Sequence, residues 1–351
     1  MYRIITLCLT LTYLSSFISA QTAGKEITID TQNYSALKIS EIGEVWKIIP
    51  LEKTSAENFL SPTQVLADEN FVFLTLGAYP VSVLQYDLNS GDLIRTIEKD
   101  KSGKELFDYP VCITNDTKDN KLFIKCRKEV YSFNYLGELE TNYHLKGNGE
   151  LFFHNKEFWA FSIDFTGKGY DTYSLYSVNK SEKEKTWKEI VHKRNARCEP
   201  PSIKIAKDAG FWTNKGIFYF SNGTEPAIYI FSNSSAIPFC NYSFVNDNFS
   251  CQEKFNRTQT LLGEDWLIVN YRINDNNNSF FYQFSSNKPY NIKNGTIEDD
   301  LFGTQEIQAK QIKSMKDGYF CFTIQTEKIK SGLITSSKTA GLCLVIMKVK
   351  K

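Results

Sequence analysis

Short apolar stretches recur along this chain, each entered through a turn residue. They read "NFVFLTL" from Asn70, "NKLFIKC" from Asn120, "KEFWAFSI" from Lys156, "KGIFYFS" from Lys215, "EDWLIVNY" from Glu264 and "DGYFCFTI" from Asp317. Aromatic and aliphatic side chains alternate within them, and Asn, Gly and Asp bound them, which predicts β-strands rather than helices. The six starts lie 50, 36, 59, 49 and 53 residues apart. Self-similarity at a period near fifty residues predicts an array of repeated supersecondary units.

The first unit divides into "TQVLAD", a turn at Glu69-Asn70, "FVFLTL", "VSVLQYD", a turn at Asn89-Ser90-Gly91, and "LIRTI". The second repeats this with "VCITN", "KLFIK", "EVYSFN", a turn at Leu136-Gly137, and "LETNYHL". Four antiparallel strands per unit make one propeller blade. The sixth unit has only three strands, "QIKSM", "GYFCFTI" and "GLCLVIMKV", whereas "EVWKIIPLE" (Glu44 to Glu52) precedes the first unit without a hairpin partner. Setting that spare strand, residues 45–51, against Leu342 to Val349 closes a ring and removes two exposed sheet edges. The expected fold is all-β, a six-bladed β-propeller closed by its N-terminal strand. Residues 21–43 form a lead-in and residues 44–351 the propeller, with blades near 61–98, 110–145, 149–191, 202–244, 258–292 and 311–349.

The stretches "LKISEIGEVWKIIPLEKT", "VLQYDLNSGDLIRTI" and "NGTIEDDLFGT" resemble the six-bladed β-propeller family of exported proteins common in Bacteroidetes, which is distantly similar to NHL-repeat propellers. The resemblance runs from Ile39 to the C-terminus. It implies a fold and export, and it supplies no catalytic residues. Family members commonly carry a lipoprotein cysteine; here Cys8 follows Thr6-Leu7 and lacks the small residue that such a signal needs.

Composition changes the picture in three ways. With 26 Phe and 19 Tyr, the aromatic share of 14% favours strands. The 41 basic residues are matched by 40 acidic ones, so the basic excess of a nucleic-acid or membrane-surface protein is missing. Arg3, the apolar stretch Ile4 to Phe17 and the small pair Ser19-Ala20 read as a leader over residues 1–20, cleaved near Ala20. Threonines and serines keep that stretch short of the roughly 20 apolar residues that span a bilayer. A periplasmic or secreted monomer without a transmembrane span is expected. Beyond the leader stand Cys112, Cys126, Cys198, Cys240, Cys251, Cys321 and Cys343, with no C-x-x-C among them. Cys240 with Cys251 is the disulfide candidate; cysteines inside apolar strands read as small buried hydrophobes.

The chain carries no G-x-S-x-G elbow, Walker loop or Rossmann fingerprint. His144, Glu150 and His154 invite a metal reading, but no spacing sets the two imidazoles on one face. "DLNSGD" (Asp87 to Asp92) crowds oxygen ligands around a glycine, yet its strand–turn–strand setting reads as a hairpin. No metal or organic cofactor is expected. The long segments are Gly77 to Val81, Lys99 to Pro110, Phe165 to Tyr170, His192 to Pro201, Val245 to Arg257, Lys293 to Lys310 and Glu327 to Ala340. In a propeller these emerge on one face, and loops on a rigid scaffold commonly carry binding residues. The expected binding residues are Tyr79, Asp108, Tyr109, Lys168, Tyr170, Arg194, Arg197, Asp299 and Asp300, with aromatic rings for flat contact and charges of both signs for orientation. The functional expectation is a non-catalytic binding or assembly module for a glycan, peptide or protein. The alternative is a hydrolase or lyase with carboxylate acid and base on the same face.

Overall fold

The structure, a computed structural model, describes residues 24–52, 64–75, 82–98, 110–126, 129–145, 150–165, 170–179, 184–193, 209–222, 226–232, 235–245, 256–304, 306–315, 318–330, 332–333 and 340–350. The leader at 1–20 lies outside them. Among the described residues no helix is long and apolar enough to cross a membrane.

The chain opens with β1 (Lys25–Ile29), a short helix α1 (Ile39–Ile42) and β2 (Gly43–Glu52). Blade one is β3 (Gln64–Ala67), β4 (Phe71–Thr75), β5 (Val83–Asp87) and β6 (Leu93–Ile97). Blade two is β7 (Pro110–Asp116), β8 (Lys121–Cys126), β9 (Glu129–Asn134) and β10 (Leu139–His144). Blade three is β11 (Leu151–His154), β12 (Glu157–Phe165), β13 (Tyr170–Asn179) and β14 (Glu184–Lys193). Blade four is β15 (Ala209–Asn214), β16 (Ile217–Asn222), β17 (Ala227–Ser232) and β18 (Ser235–Phe244). Blade five is β19 (Asn256–Leu262), β20 (Trp266–Ile273), β21 (Asn276–Gln283) and β22 (Lys288–Ile292). A two-stranded ribbon, β23 (Thr296–Glu298) and β24 (Glu306–Gln308), leads into blade six, formed by β25 (Lys313–Ser314), β26 (Tyr319–Gln325), β27 (Ala340–Val349) and β2.

The strand that precedes blade one therefore completes blade six. β2 pairs antiparallel with β27, with Val45 opposite Met347 and Leu51 opposite Leu342. The core explains why. It consists of six apolar clusters, one between each pair of neighbouring sheets, including one between blades six and one. An open row of six sheets would have only five such interfaces. Within a blade, successive side chains of a strand serve opposite neighbours. On β8, Leu122, Ile124 and Cys126 face blade one, and Phe123 faces blade three. On β27, Leu344 and Ile346 face blade one, while Cys343, Val345 and Met347 face blade five. Both faces of each sheet are covered, so these strands read as continuous apolar runs.

The lead-in, residues 21–43, takes a form that its sequence pattern did not reveal. β1 lies parallel to β18 as a fifth strand on blade four, with Lys25 opposite Cys240 and Ile29 opposite Phe244. The chain then runs along blade five. Ser35 N–H donates to Asn291 O at 2.8 Å, Asn291 N–H to Ser35 Oγ at 3.1 Å, and Asn291 Nδ2 to Asp30 O at 2.6 Å. Leu37, Ile39 and Ile42 then enter the core between blades five and six. The N-terminal segment is thus a strap across three blades. Within its stretch "KEITI", Ile27 and Ile29 are the residues it buries.

Residues 293–310, expected as an open loop, also fold down. Ile297, Phe302, Ile307 and Ala309 are buried against the strap and blade six. Their wide and irregular spacing has no strand or helix period, which is why the sequence reads as a loop.

Ring closure can be tested at Gly91, in the turn between β5 and β6. Its φ is +73°, and a Cβ there would come within 2.2 Å of Pro50 O on β2. Gly216 has a similar φ of +76° with nothing within 4 Å. Gly216→Ala should cost about 1 kcal/mol for the left-handed conformation alone. Gly91→Ala should cost roughly 3 kcal/mol or more, because the turn must also move off the closing strand. Chemical denaturation of both variants beside the parent checks this, and equal losses would mean that the turn does not brace the closure.

Candidate functional site

The first strand of each blade builds the inner wall, where β3 meets β7, β7 meets β11, β15 meets β19 and β19 meets β25. All of these strands run in the same sense, so their first residues gather at one end of the ring and the tight hairpin turns at the other. The hairpin end is closed by its own side chains. Asp68 accepts from Asn70 N–H and Phe71 N–H, both at 2.8 Å. Asp87 accepts from Asn89 N–H at 2.8 Å and Ser90 N–H at 2.7 Å, and Asn134 accepts from Leu136 N–H at 3.1 Å and Glu138 N–H at 2.9 Å. The Asp87 to Asp92 segment is thus a turn whose lead carboxylate is occupied by its own backbone.

At the other end, side chains stitch neighbouring inner strands together. Gln64, the first residue of β3, accepts from Ile113 N–H of β7 through Oε1 at 2.7 Å. Thr114 Oγ1 of β7 accepts from Phe153 N–H of β11 at 3.1 Å, and Cys112 Sγ lies 3.1 Å from Leu151 N. Because Oε1 of Gln64 is fixed on a backbone donor, its Nε2 is turned toward Glu150, donating to Oε2 at 3.3 Å. Glu150 directly precedes β11. Lys313 begins β25, and Lys125 is the penultimate residue of β8.

These four residues come from blades one, two, three and six, and they meet electrostatically. Burial pushes the Glu150 carboxyl up to about 7, against the opposing pull of Lys125, Lys313 and the Gln64 amide. Burial also lowers both lysines, with Glu150 working in the other direction on each. Lys125 is fully buried at 0% exposure, in the row of β8 that also holds Lys121 and Phe123, and Phe123 packs into the apolar cluster toward blade three. Each lysine has a cysteine directly across the ladder, Cys112 opposite Lys125 and Cys321 opposite Lys313. Burial raises both thiols, Cys321 to about 12, which leaves them protonated at neutral pH. The arrangement is an inner rim of two lysines and one glutamate, carried on or directly beside strands.

Sequence reasoning selected none of the four. For Lys125 the signal was present: a lysine inside the apolar run "KLFIKC" has to be buried or has to break the pattern. Glu150 was considered only beside His144 and His154, and the three separate in the fold. His144 Nδ1 lies 2.7 Å from Glu129 Oε1, and His154 stacks on Phe218 with ring centroids 5.2 Å apart. Among the described residues no cluster of three or more His, Cys, Asp or Glu is placed to hold a metal ion.

Of the binding residues expected from sequence, Tyr79, Asp108, Tyr109, Lys168, Arg194 and Arg197 lie outside the described residues, and Tyr170 opens β13. Asp299 and Asp300 sit between β23 and β24. Asp299 accepts from the N–H groups of Leu301 at 2.9 Å, Phe302 at 2.7 Å and Thr304 at 2.5 Å. Burial would raise its carboxyl, but those donors outweigh burial and hold it below the ordinary range. Asp300 accepts from Ser40 N–H at 3.1 Å and from the Ser40 hydroxyl, tying the ribbon to the strap. Cys240 is a buried thiol in the core between blades four and five, and Cys251 lies outside the described residues.

No protein-family model matches the chain, and no curated protein matches it. Solved structures do share its fold. A protein from Bacteroides fragilis described as exported is 11% identical with a TM-score of 0.61, the match covering 93% of this chain and 100% of that one. A member of the DUF4221 family from Bacteroides vulgatus is 8% identical with a TM-score of 0.50, covering 89% and 99%. At these identities the likeness establishes the β-propeller fold alone.

The rim has a measurable pH signature. A carboxyl raised from 4.5 to about 7 on folding contributes stability that is present below its unfolded value and lost as pH rises through its folded value. The parent should therefore lose about 2 kcal/mol relative to Glu150→Gln between pH 5 and pH 8. Unfolding free energies of both proteins across that window check the sign, and parallel curves would mean that Glu150 titrates normally.

Proposed function

We propose that this chain is an exported, non-catalytic binding or assembly module whose ligand, a glycan, peptide or protein, approaches the end of the ring where the inner strands begin. One observation carries the reading. Gln64 meets Glu150 at that end, with Lys125 and Lys313 of two further blades near enough to act on the carboxyl, whereas Asp68, Asp87 and Asn134 in turns at the other end bond their own backbone. A few polar groups brought together on a rigid scaffold are the kind that fix a ligand's orientation. The connections that enter the inner strands belong to the same end. With the loops between second and third strands, they would supply Tyr79, Asp108, Tyr109, Lys168, Tyr170, Arg194 and Arg197 to the proposed contact surface. Export is supported by the leader-like residues 1–20 and by the exported description of the B. fragilis protein.

A hydrolase or lyase reading has one point in its favour, a carboxyl held at about 7, which suits a general acid or base near neutral pH. A glycosidase needs a second carboxyl about 5–10 Å away, and the paired Asp299 and Asp300 are engaged in internal hydrogen bonds.

The test is a glycan and peptide array on the purified protein, followed by alanine at Tyr79, Tyr109 and Tyr170 together. Binding should be abolished with the melting temperature unchanged, Glu138→Ala on the hairpin end should leave binding intact, and the ligand should be recovered unaltered. Loss of binding in Glu138→Ala but not in the triple variant would reverse the assignment of faces, and conversion of the ligand would favour the enzyme reading.

A further inference from the structure

We propose that the inner rim is an anchor for a carboxylate of the ligand, received by Lys313 in the field of Lys125, with Glu150 as the counter-charge that sets how tightly it is held. This rests on the binding reading above and specifies its ligand chemistry.

The argument begins with charge. With all three groups ionised the rim carries two ammonium groups against one carboxylate, an excess of one positive charge. Glu150 has part of its accepting capacity committed to Gln64 Nε2 at 3.3 Å. Among the described residues Lys313 has neither a hydrogen bond nor a carboxylate within 4.0 Å, and its partly buried stem places the ammonium at the start of β25 on the inner wall. Water is limited there, because Leu151 and the protonated thiols of Cys112 and Cys321 are buried beside the charges. A lower local dielectric strengthens the pull of each ammonium on an incoming anion.

A single excess charge matches a monoanion better than a phosphate dianion. The rim residues themselves, Gln64, Lys125, Glu150 and Lys313, include no arginine fork of the kind that reads phosphate. Gln64 offers a second Nε2 proton beside the one given to Glu150, suited to a carboxylate oxygen. Two sources share this chemistry: the uronic acid of a glycan, and the C-terminus or acidic side chain of a peptide.

The pH behaviour follows with its sign. The groups facing Glu150 are Lys125, Lys313 and the thiol of Cys112. As pH falls through about 7, Glu150 becomes neutral, the rim gains one net positive charge, and a carboxylate of ordinary pKa stays ionised. Affinity should rise.

Two matched pairs of probes distinguish the sources in calorimetric or NMR titrations of the full chain: glucuronic acid against glucose, and N-acetyl-alanyl-alanine against its amide. At least one acid should bind and its neutral counterpart should not. Lys313→Met should weaken the acid at least tenfold, and Glu150→Gln should tighten it by roughly tenfold and remove the pH dependence. Lys118→Met, an exposed lysine on the hairpin end, should change nothing. Equal binding of acid and neutral probe, no acid binding at millimolar concentration, or an unaffected Lys313→Met would overturn the carboxylate anchor. The face assignment would survive those outcomes if the array ligand still responded to the tyrosine triple variant. It would fall if Trp46→Ala on the outer edge removed array binding and the tyrosine variant did not. Should Lys313→Met fail to fold by circular dichroism, the acid and neutral pairs on the parent decide alone.

Discussion

The structure depends on one contact, the pairing of β2 with β27. It joins strands from opposite ends of the chain, with Gly43 opposite Val349 and Leu51 opposite Leu342. Without it blade six would have three strands, and Leu344 and Ile346 would lose Ile49 and Leu51 from the cluster they share with blade one. Every blade is apolar on both faces, so each needs a neighbour on both sides. Six interfaces for six sheets is the condition of a closed ring, and the N-terminal strand completes the last with Ile49 and Leu51. The strap reinforces this closure, since β1 is held on blade four and Asn291 ties the chain along blade five before β2 reaches blade six.

Closure also makes the inner rim. Once the inner strands converge, their starts lie close enough for Gln64 of blade one to bond Ile113 of blade two, and for Cys112 and Thr114 of blade two to meet blade three. These contacts hold the backbone beside Glu150, and the Ser314 hydroxyl, donating to Leu262 O at 2.8 Å, ties the strand that carries Lys313 to blade five. The rim is a product of ring geometry more than of any local motif, because its members are separated by up to 249 residues in sequence, from Gln64 to Lys313.

That separation explains what the sequence could and could not reveal. The blades were legible because a period-two pattern is local, and the closing strand because a spare strand at one end answered a missing one at the other. The ribbon at 296–308 was not, since Ile297, Phe302 and Ile307 are buried by contacts with Leu37 and Ile39 that no local period announces. Asp299 and Asp300 drew attention as adjacent carboxylates, yet a carboxylate on a polar turn finds nearby amides as readily as a ligand, and Asp299 has three of them. Lys125 was readable in principle. A charged residue in a strand whose neighbours are Phe123, Ile124 and Cys126 conflicts with the pattern around it, and such local conflicts concentrate at functional sites.

The rim is not required by the fold. Ile113, Leu122 and Phe123 show that the same region accepts apolar side chains in close packing, and replacing buried charges by hydrophobic residues of similar volume is often neutral or stabilising. Lys125 instead gives up its hydration, and Glu150 is raised to about 7 even with two lysines acting on it. The lysines therefore do not fully compensate Glu150. A purely structural ion pair would depress its carboxyl, whereas here burial outweighs the pairing. Groups held away from their ordinary ionisation cluster at functional sites. Under the proposed function the stability given up at the rim is preorganisation, because the charges would stand in place before a ligand arrives.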